Sequence, residues 1–207
     1  MAAVIIVIGA YFLGSVPFAL VIGKGIYSVD VRGSGSGNIG TTNVFRVLGK
    51  KAGAAVFACD LLKGFIPVIL ARQLIDSDQA ALVAVLAAGA AIAGHTFSIF
   101  LKFKGGKGVA TGGGVFLGLA PLLFLIAFAI FWAVLLAGRF VSVASLAAAV
   151  SLCLMVIITG QPMPYIVFTL LATAVIFYAH RSNISRLMTG DENRVTFPWN
   201  RGKIEKT

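Results

Sequence analysis

From residue 109 to residue 138 the chain runs for thirty residues without a charged side chain. A globule of this chain's 207 residues still leaves roughly a quarter to a third of its unfolded-chain surface in water. Such a run therefore has no place to hide in a soluble fold, and it does not stand alone. Further apolar stretches cover 2–23, 52–71, 80–101, 141–160 and 164–180. Apolar residues reach 59% and charged residues only 12%, against about 45–50% and about 25% in soluble domains. These figures exclude a soluble enzyme, a disordered tail and a secreted disulfide scaffold. They predict an all-α, polytopic transmembrane helix bundle.

The uncharged run also sets the span count. One helix of that length would be about 45 Å long, against a hydrocarbon core of about 30 Å. Pro121 lies near its middle, so two short helices turning near Pro121 are expected. That makes about seven spans. The first run carries its positive charge, Lys24, after the apolar stretch, unlike a cleaved signal peptide. It reads as a retained helix, interrupted at Gly14 and Pro17, with the N-terminus outside and the C-terminus inside. In this topology 15 of the 17 Lys and Arg residues are cytoplasmic; Arg72 is outside and Lys63 lies within a span. The positive-inside rule demands that bias. The expected organisation is one membrane-embedded unit over 1–207, with cytoplasmic loops near 24–51 and 102–108 and a cytoplasmic tail over 181–207.

The formal net charge of +10 would suggest nucleic acid in a soluble protein; here topology accounts for it, with some cations left to meet an anionic substrate. Cys59 and Cys153 lie in apolar runs and read as packing thiols, and His95 and His180 are too far apart for a local metal motif. No metal or cofactor is expected.

An apolar scaffold has no need of glycine-rich polar loops, yet two fall on the inner face. The first holds Gly35, Ser36, Gly37, Asn38, Gly40, Thr41, Thr42 and Asn43, then Arg46 and Lys50. Gly35, Gly37 and Gly40 match G-x-G-x-x-G, but no βαβ unit fits between two membrane helices. What remains is an anion nest: glycines let successive N–H groups point one way, and Arg46 offers a bidentate fork for phosphate. The plainer alternative is a flexible linker. The second loop, with Lys102, Lys104, Gly105, Gly106, Lys107 and Gly108, is not a P-loop, because Gly108 stands where Ser or Thr is required. It suits phosphate oxygens, or it is simply a basic turn. Gly112, Gly113, Gly114 and Gly118 are expected to let helices approach closely.

Asp60 and Lys63 share a helix face within a span and are read as a structural pair. For His95 a structural and a functional role stand level. His180 and Asn183 share a face at the inner interface, where a His is the natural proton handler. The alternative for the pair is a stop-transfer cluster.

The pieces occur together in an order that resembles one family. They are Tyr11-x-x-Gly14-Ser15-x-Pro17, Gly35-Ser36-Gly37-Asn38-Ile39-Gly40, Asp60-x-x-Lys63-Gly64, Gly94-His95-x-Phe97, Phe103-Lys104-Gly105-Gly106-Lys107-Gly108 and His180-x-x-Asn183-Ile184. The chain resembles the bacterial acyl-phosphate:glycerol-3-phosphate acyltransferases of the inner membrane, from about residue 10 to 192. Ser98 stands where that family usually has Pro, and Thr41 where Ala is common. The resemblance implies transfer of an acyl group from acyl phosphate to the 1-hydroxyl of sn-glycerol-3-phosphate, without a covalent acyl-enzyme. It implies Ser36, Arg46 and Lys104 on one phosphate, Gly105, Gly106, Lys107 and Gly108 on glycerol-3-phosphate, and His180 and Asn183 on the attacking hydroxyl. The first loop's Gly35, Gly37, Asn38, Gly40, Thr42 and Asn43 complete the expected site. The rival is a transporter of a phosphorylated small solute, which would share the basic inner loops but usually shows paired repeats. The expected partners are the two substrates and membrane lipid.

Overall fold

The structure, a computed structural model, describes residues 1–197, and for residues 77 and 78 the backbone only. The expected tail's last part, 198–207, lies outside the described residues. The chain forms α1 (Ala2–Ser15), α2 (Phe18–Tyr27), α3 (Thr41–Leu74), α4 (Ser77–Thr96), α5 (Val109–Leu119), α6 (Pro121–Gly138), α7 (Val141–Ile158), α8 (Met163–Ala179) and α9 (Arg181–Thr189). There is no strand among the described residues.

By length and composition four of these helices can each cross a membrane, or six spans if α1–α2 and α8–α9 each count as one bent span. The seventh expected segment is α5, whose 11 residues reach only about 16 Å. Its boundary lies where the proline predicted it. Ala120 separates α5 from α6, and Pro121 takes the first position of α6, where its missing N–H is no loss. Pro17 acts likewise in the first span, where α1 and α2 meet at 45°.

The expected loop over 24–51 is shorter. The α2 helix runs on to Tyr27, and α3 begins at Thr41, with a break at Gly49 (φ 84°, ψ −172°). Asn38 explains the early start: its Oδ1 accepts the Gly40 N–H at 2.9 Å, which sets the chain for the first helical turn. Thr42, Asn43 and Arg46 therefore stand on a helix, not in a loop.

Packing follows membrane rather than water logic. The centre is built from small side chains, with Ala84, Ala87, Ala88 and Ala91 of α4 buried. Large ones such as Ile5, Leu125, Leu154 and Leu171 point outward. Close approach, not segregation of oil from water, holds such helices together. The tightest case is α3 against α5: a Cβ on Gly64 would overlap the Thr111 carbonyl, and one on Gly114 the Leu61 carbonyl. At the far end of α5, Arg72 Nη1 donates to the Gly118 carbonyl at 2.6 Å. At the opposite end of the bundle lie loop 28–40, loop 97–108 and α9.

Candidate active site

Loop 28–40 is wound around one side chain. Asn43, 1% exposed, donates from Nδ2 to the carbonyls of Val31 (2.9 Å) and Ser34 (3.1 Å) and accepts the Ser36 N–H at Oδ1 (2.8 Å). Gly35 has φ 63°, and a Cβ there would run into Asn43 Oδ1. Asn43 is thus committed at both ends of its amide to the loop's own backbone, and Asn38 spends its Oδ1 there while its Nδ2 remains to donate. Facing out are the Ser36 side chain and the amides of Thr41 and Thr42, which as first-turn N–H groups have no intrahelical acceptor. Thr41 Oγ1 is buried without a partner beside them. Arg46, one turn beyond Thr42, shares its face and is exposed. At the loop's outer edge Arg32 and Lys24 both bind Asp30, the Arg32 Nη2 at 2.6 Å and the Lys24 Nζ at 2.9 Å. Hydrogen bonds from Arg32 and then Lys24 hold the Asp30 carboxyl well below the usual carboxylate range.

The second loop is tied to the end of α4. The N–H groups of Gly105 and Gly106 donate to the carbonyls of Thr96 (2.9 Å) and His95 (3.0 Å). Those two amides are spent on the end of α4. These positions are glycine because backbone passes too close for a Cβ: at Gly105 it would overlap the His95 carbonyl, at Gly106 the His95 ring. Lys107 extends its ammonium to Asn183 Oδ1, and Gly108, with φ 79°, turns the chain into α5. Lys104 stands exposed at the rim.

The third part is the corner between α8 and α9, bent by 52°. His180 Nδ1 lies 2.8 Å from the Ile176 carbonyl. A carbonyl only accepts, so Nδ1 carries the proton and Nε2 keeps its lone pair. Burial lowers the His180 pKa, and Lys107 adds to that, against the Ile176 bond and Glu192. The imidazole is therefore neutral at pH 7. Asn183 passes the Lys107 contact on, donating from Nδ2 to Glu192 Oε1 at 2.6 Å. Glu192 also accepts from Ser142 Oγ and Arg186 Nε, each at 2.8 Å. Burial works to raise its pKa, but those three hydrogen bonds outweigh it and lower it. Glu192 and Ser142 were not singled out from the sequence; the only signal was an acid closing a basic segment.

Lys107 ties the second loop to the α8–α9 corner through Asn183. Burial depresses the Lys107 pKa, Glu192 opposes that, and the charges of Arg186 and Arg46 add to it. An open, mostly apolar groove of about 440 Å³ runs along α7. It is lined by Val143, the residue after Ser142, then by Ala147, Val150 and Leu154 along α7, with Phe177 of α8.

Comparisons with known proteins identify the family of the chain. The family profile described as Glycerol-3-phosphate acyltransferase matches residues 4–190. A glycerol-3-phosphate acyltransferase of Geotalea daltonii is 45% identical over 191 residues, covering 92% of this chain and 96% of its own. The crystal structure of PlsY, an integral membrane glycerol 3-phosphate acyltransferase, in its glycerol 3-phosphate form is 39% identical and superposes with a TM-score of 0.91, covering 100% of both chains. Its lysophosphatidic acid form is 41% identical with a TM-score of 0.88, covering 95% of this chain and 96% of that one.

Proposed function

The chain belongs to the glycerol-3-phosphate acyltransferase family, and from that membership we propose that it moves the acyl group of an acyl phosphate to the 1-hydroxyl of sn-glycerol-3-phosphate. The products are lysophosphatidic acid and inorganic phosphate. The hydroxyl oxygen attacks the acyl carbonyl carbon, the bond from that carbon to the phosphate oxygen breaks, and phosphate leaves; the hydroxyl proton ends on that phosphate, passed directly or through His180 Nε2. An acyl phosphate is a mixed anhydride, so the protein's task is orientation and charge stabilisation rather than covalent catalysis.

The observation that carries this reading is the His180 imidazole, whose Nδ1 is bonded to the Ile176 carbonyl so that Nε2 keeps its lone pair, with the Lys107 ammonium held by Asn183 on the same corner. Nε2 accepts the hydrogen bond of the attacking hydroxyl, and Asn183 holds Lys107 beside it. Lys107, with the first-turn amides of α5 after Gly108, holds glycerol-3-phosphate; Gly105 and Gly106 serve by fit alone. Ser36, Arg46 and Lys104, with the nest of Gly35, Gly37, Gly40 and Thr42, hold the phosphate of the donor. Asn38 and Asn43 keep that nest in shape. The acyl chain lies in the groove between α7 and α8.

The glycine loops and α9 face the cytoplasm of a bacterial inner membrane, with the N-terminus outside. The motive is charge: among the described residues every Lys and Arg other than Lys63 and Arg72 lies at that end, as cytoplasmic loops require. The deciding experiment measures phosphate release by detergent-purified protein given glycerol-3-phosphate and either acyl phosphate or acyl-CoA. Turnover is expected with acyl phosphate alone. Comparable rates with acyl-CoA would overturn the donor assignment.

A further inference from the structure

Beneath the second glycine loop lies a polar cluster that the reaction described above does not use. Lys63 Nζ and Asp60 Oδ1 are 2.7 Å apart, with side chains 2% and 3% exposed. An ion pair this deep is a poor device for stability, since an apolar pair of similar volume often serves as well. Each partner also reaches off its own helix. Lys63 Nζ donates to the Val16 carbonyl at 3.0 Å, at the break before Pro17. Asp60 Oδ1 faces His95 Nδ1 at 3.8 Å, an electrostatic contact too long for a hydrogen bond. The other ring nitrogen of His95 abuts Gly106, and the His95 carbonyl accepts the Gly106 N–H. One continuous line of contacts thus joins the break in the first span to the residue before Lys107.

We infer that Asp60, Lys63 and His95 are positioning residues for glycerol-3-phosphate: together they form the shelf that fixes loop 97–108, and with it the place where Lys107 meets the substrate phosphate. The inference rests on the reading of Lys107 given above. Two further contacts show which half of the loop is pinned. Ser98 Oγ donates to the Ser15 carbonyl at 2.6 Å, and Tyr11 Oη to the Phe97 carbonyl at 3.0 Å. The half that carries Lys104 is therefore fastened to α1 through Phe97 and Ser98, whereas the His95 shelf bears on Gly105 and Gly106, directly before Lys107. The two ends of the pair meet different neighbours: Lys63 adds a second donor to the Val16 carbonyl, which already accepts the Phe18 N–H at 3.1 Å, and Asp60 sets its carboxylate beside the His95 ring.

The test uses the Asp60→Asn/Lys63→Met pair, which removes both charges together and leaves no lone ion buried, and His95→Gln, which leaves the ion pair intact. Glycerol-3-phosphate binding is measured by calorimetry without donor, beside KM for each substrate and the thermal midpoint in detergent. Displacement of a positioned cation by about 1 Å should weaken glycerol-3-phosphate binding at least about tenfold in each variant. KM for the donor and the midpoint should stay near wild type. Unchanged glycerol-3-phosphate binding in folded His95→Gln protein, or equal losses for both substrates, would overturn the inference. Wild-type protein that binds glycerol-3-phosphate but does not turn over acyl phosphate would instead overturn the donor reading and leave the shelf standing. Should the double variant fail to fold, His95→Gln alone decides the matter.

Discussion

Replacing Asn183 by alanine removes the one side chain that joins the loop cation to the tail carboxylate. Its amide accepts from Lys107 and donates to Glu192 Oε1 at 2.6 Å, so both bonds have a charged partner. Such bonds are worth about 1.5–3 kcal/mol each. The two losses are unequal. Glu192 keeps Ser142 and Arg186, each at 2.8 Å, whereas Asn183 is the hydrogen-bond partner of Lys107 Nζ among the described residues. Lys107 is half-buried, so water replaces part of what it loses. A net cost of about 2–3 kcal/mol follows, or about 30- to 160-fold in kcat/KM. Phosphate release over a glycerol-3-phosphate series would measure it. Asn183→Asp is the control. It preserves an acceptor for Lys107 but sets a second carboxylate against Glu192, and two carboxylates so close cannot both ionise freely. It should fall as far as alanine at pH 8 and recover part of the loss near pH 5.5, where the pair shares a proton. Folded Asn183→Ala protein retaining more than half the wild-type kcat/KM would refute the argument.

Arg46→Lys keeps the charge and loses the fork, and should cost about 2–4 kcal/mol, about 30- to 1000-fold in kcat/KM; near-wild-type kinetics would move the donor phosphate elsewhere. His180 has a folded pKa below its unfolded value of about 6.5, so protons favour the unfolded state and its contribution to stability is full above that pH and lost as pH falls below it. The kcat profile should share that acid limb, and His180→Ala should lack it while losing kcat more than substrate affinity. Gly114→Ala forces a methyl group onto the Leu61 carbonyl and should lower stability by about 1–3 kcal/mol, read as a lower thermal midpoint in detergent, with substrate KM values unchanged. A cysteine introduced at the exposed Ser34 should resist a membrane-impermeant reagent in intact cells; labelling from outside would reverse the topology.

The membrane character, the division at Pro121, the bend at Pro17 and the gathering of cations near one end were all legible in the residues. Each is a local matter: a helix in lipid satisfies its own backbone, so apolar length and proline position suffice to place it. The site was legible only as a set of names. Lys107 does meet Asn183, but the sequence could not say that Asn43 faces its own loop or that the Gly105 and Gly106 amides are already spent. Nor could it give Glu192 three partners, one of them 50 residues away, or stand the Asp60–Lys63 pair against a carbonyl 47 residues before it. Whether a loop N–H serves a ligand or a neighbouring carbonyl depends on what packs beneath it. That neighbour arrives from a distant part of the chain, so only the assembled bundle decides it.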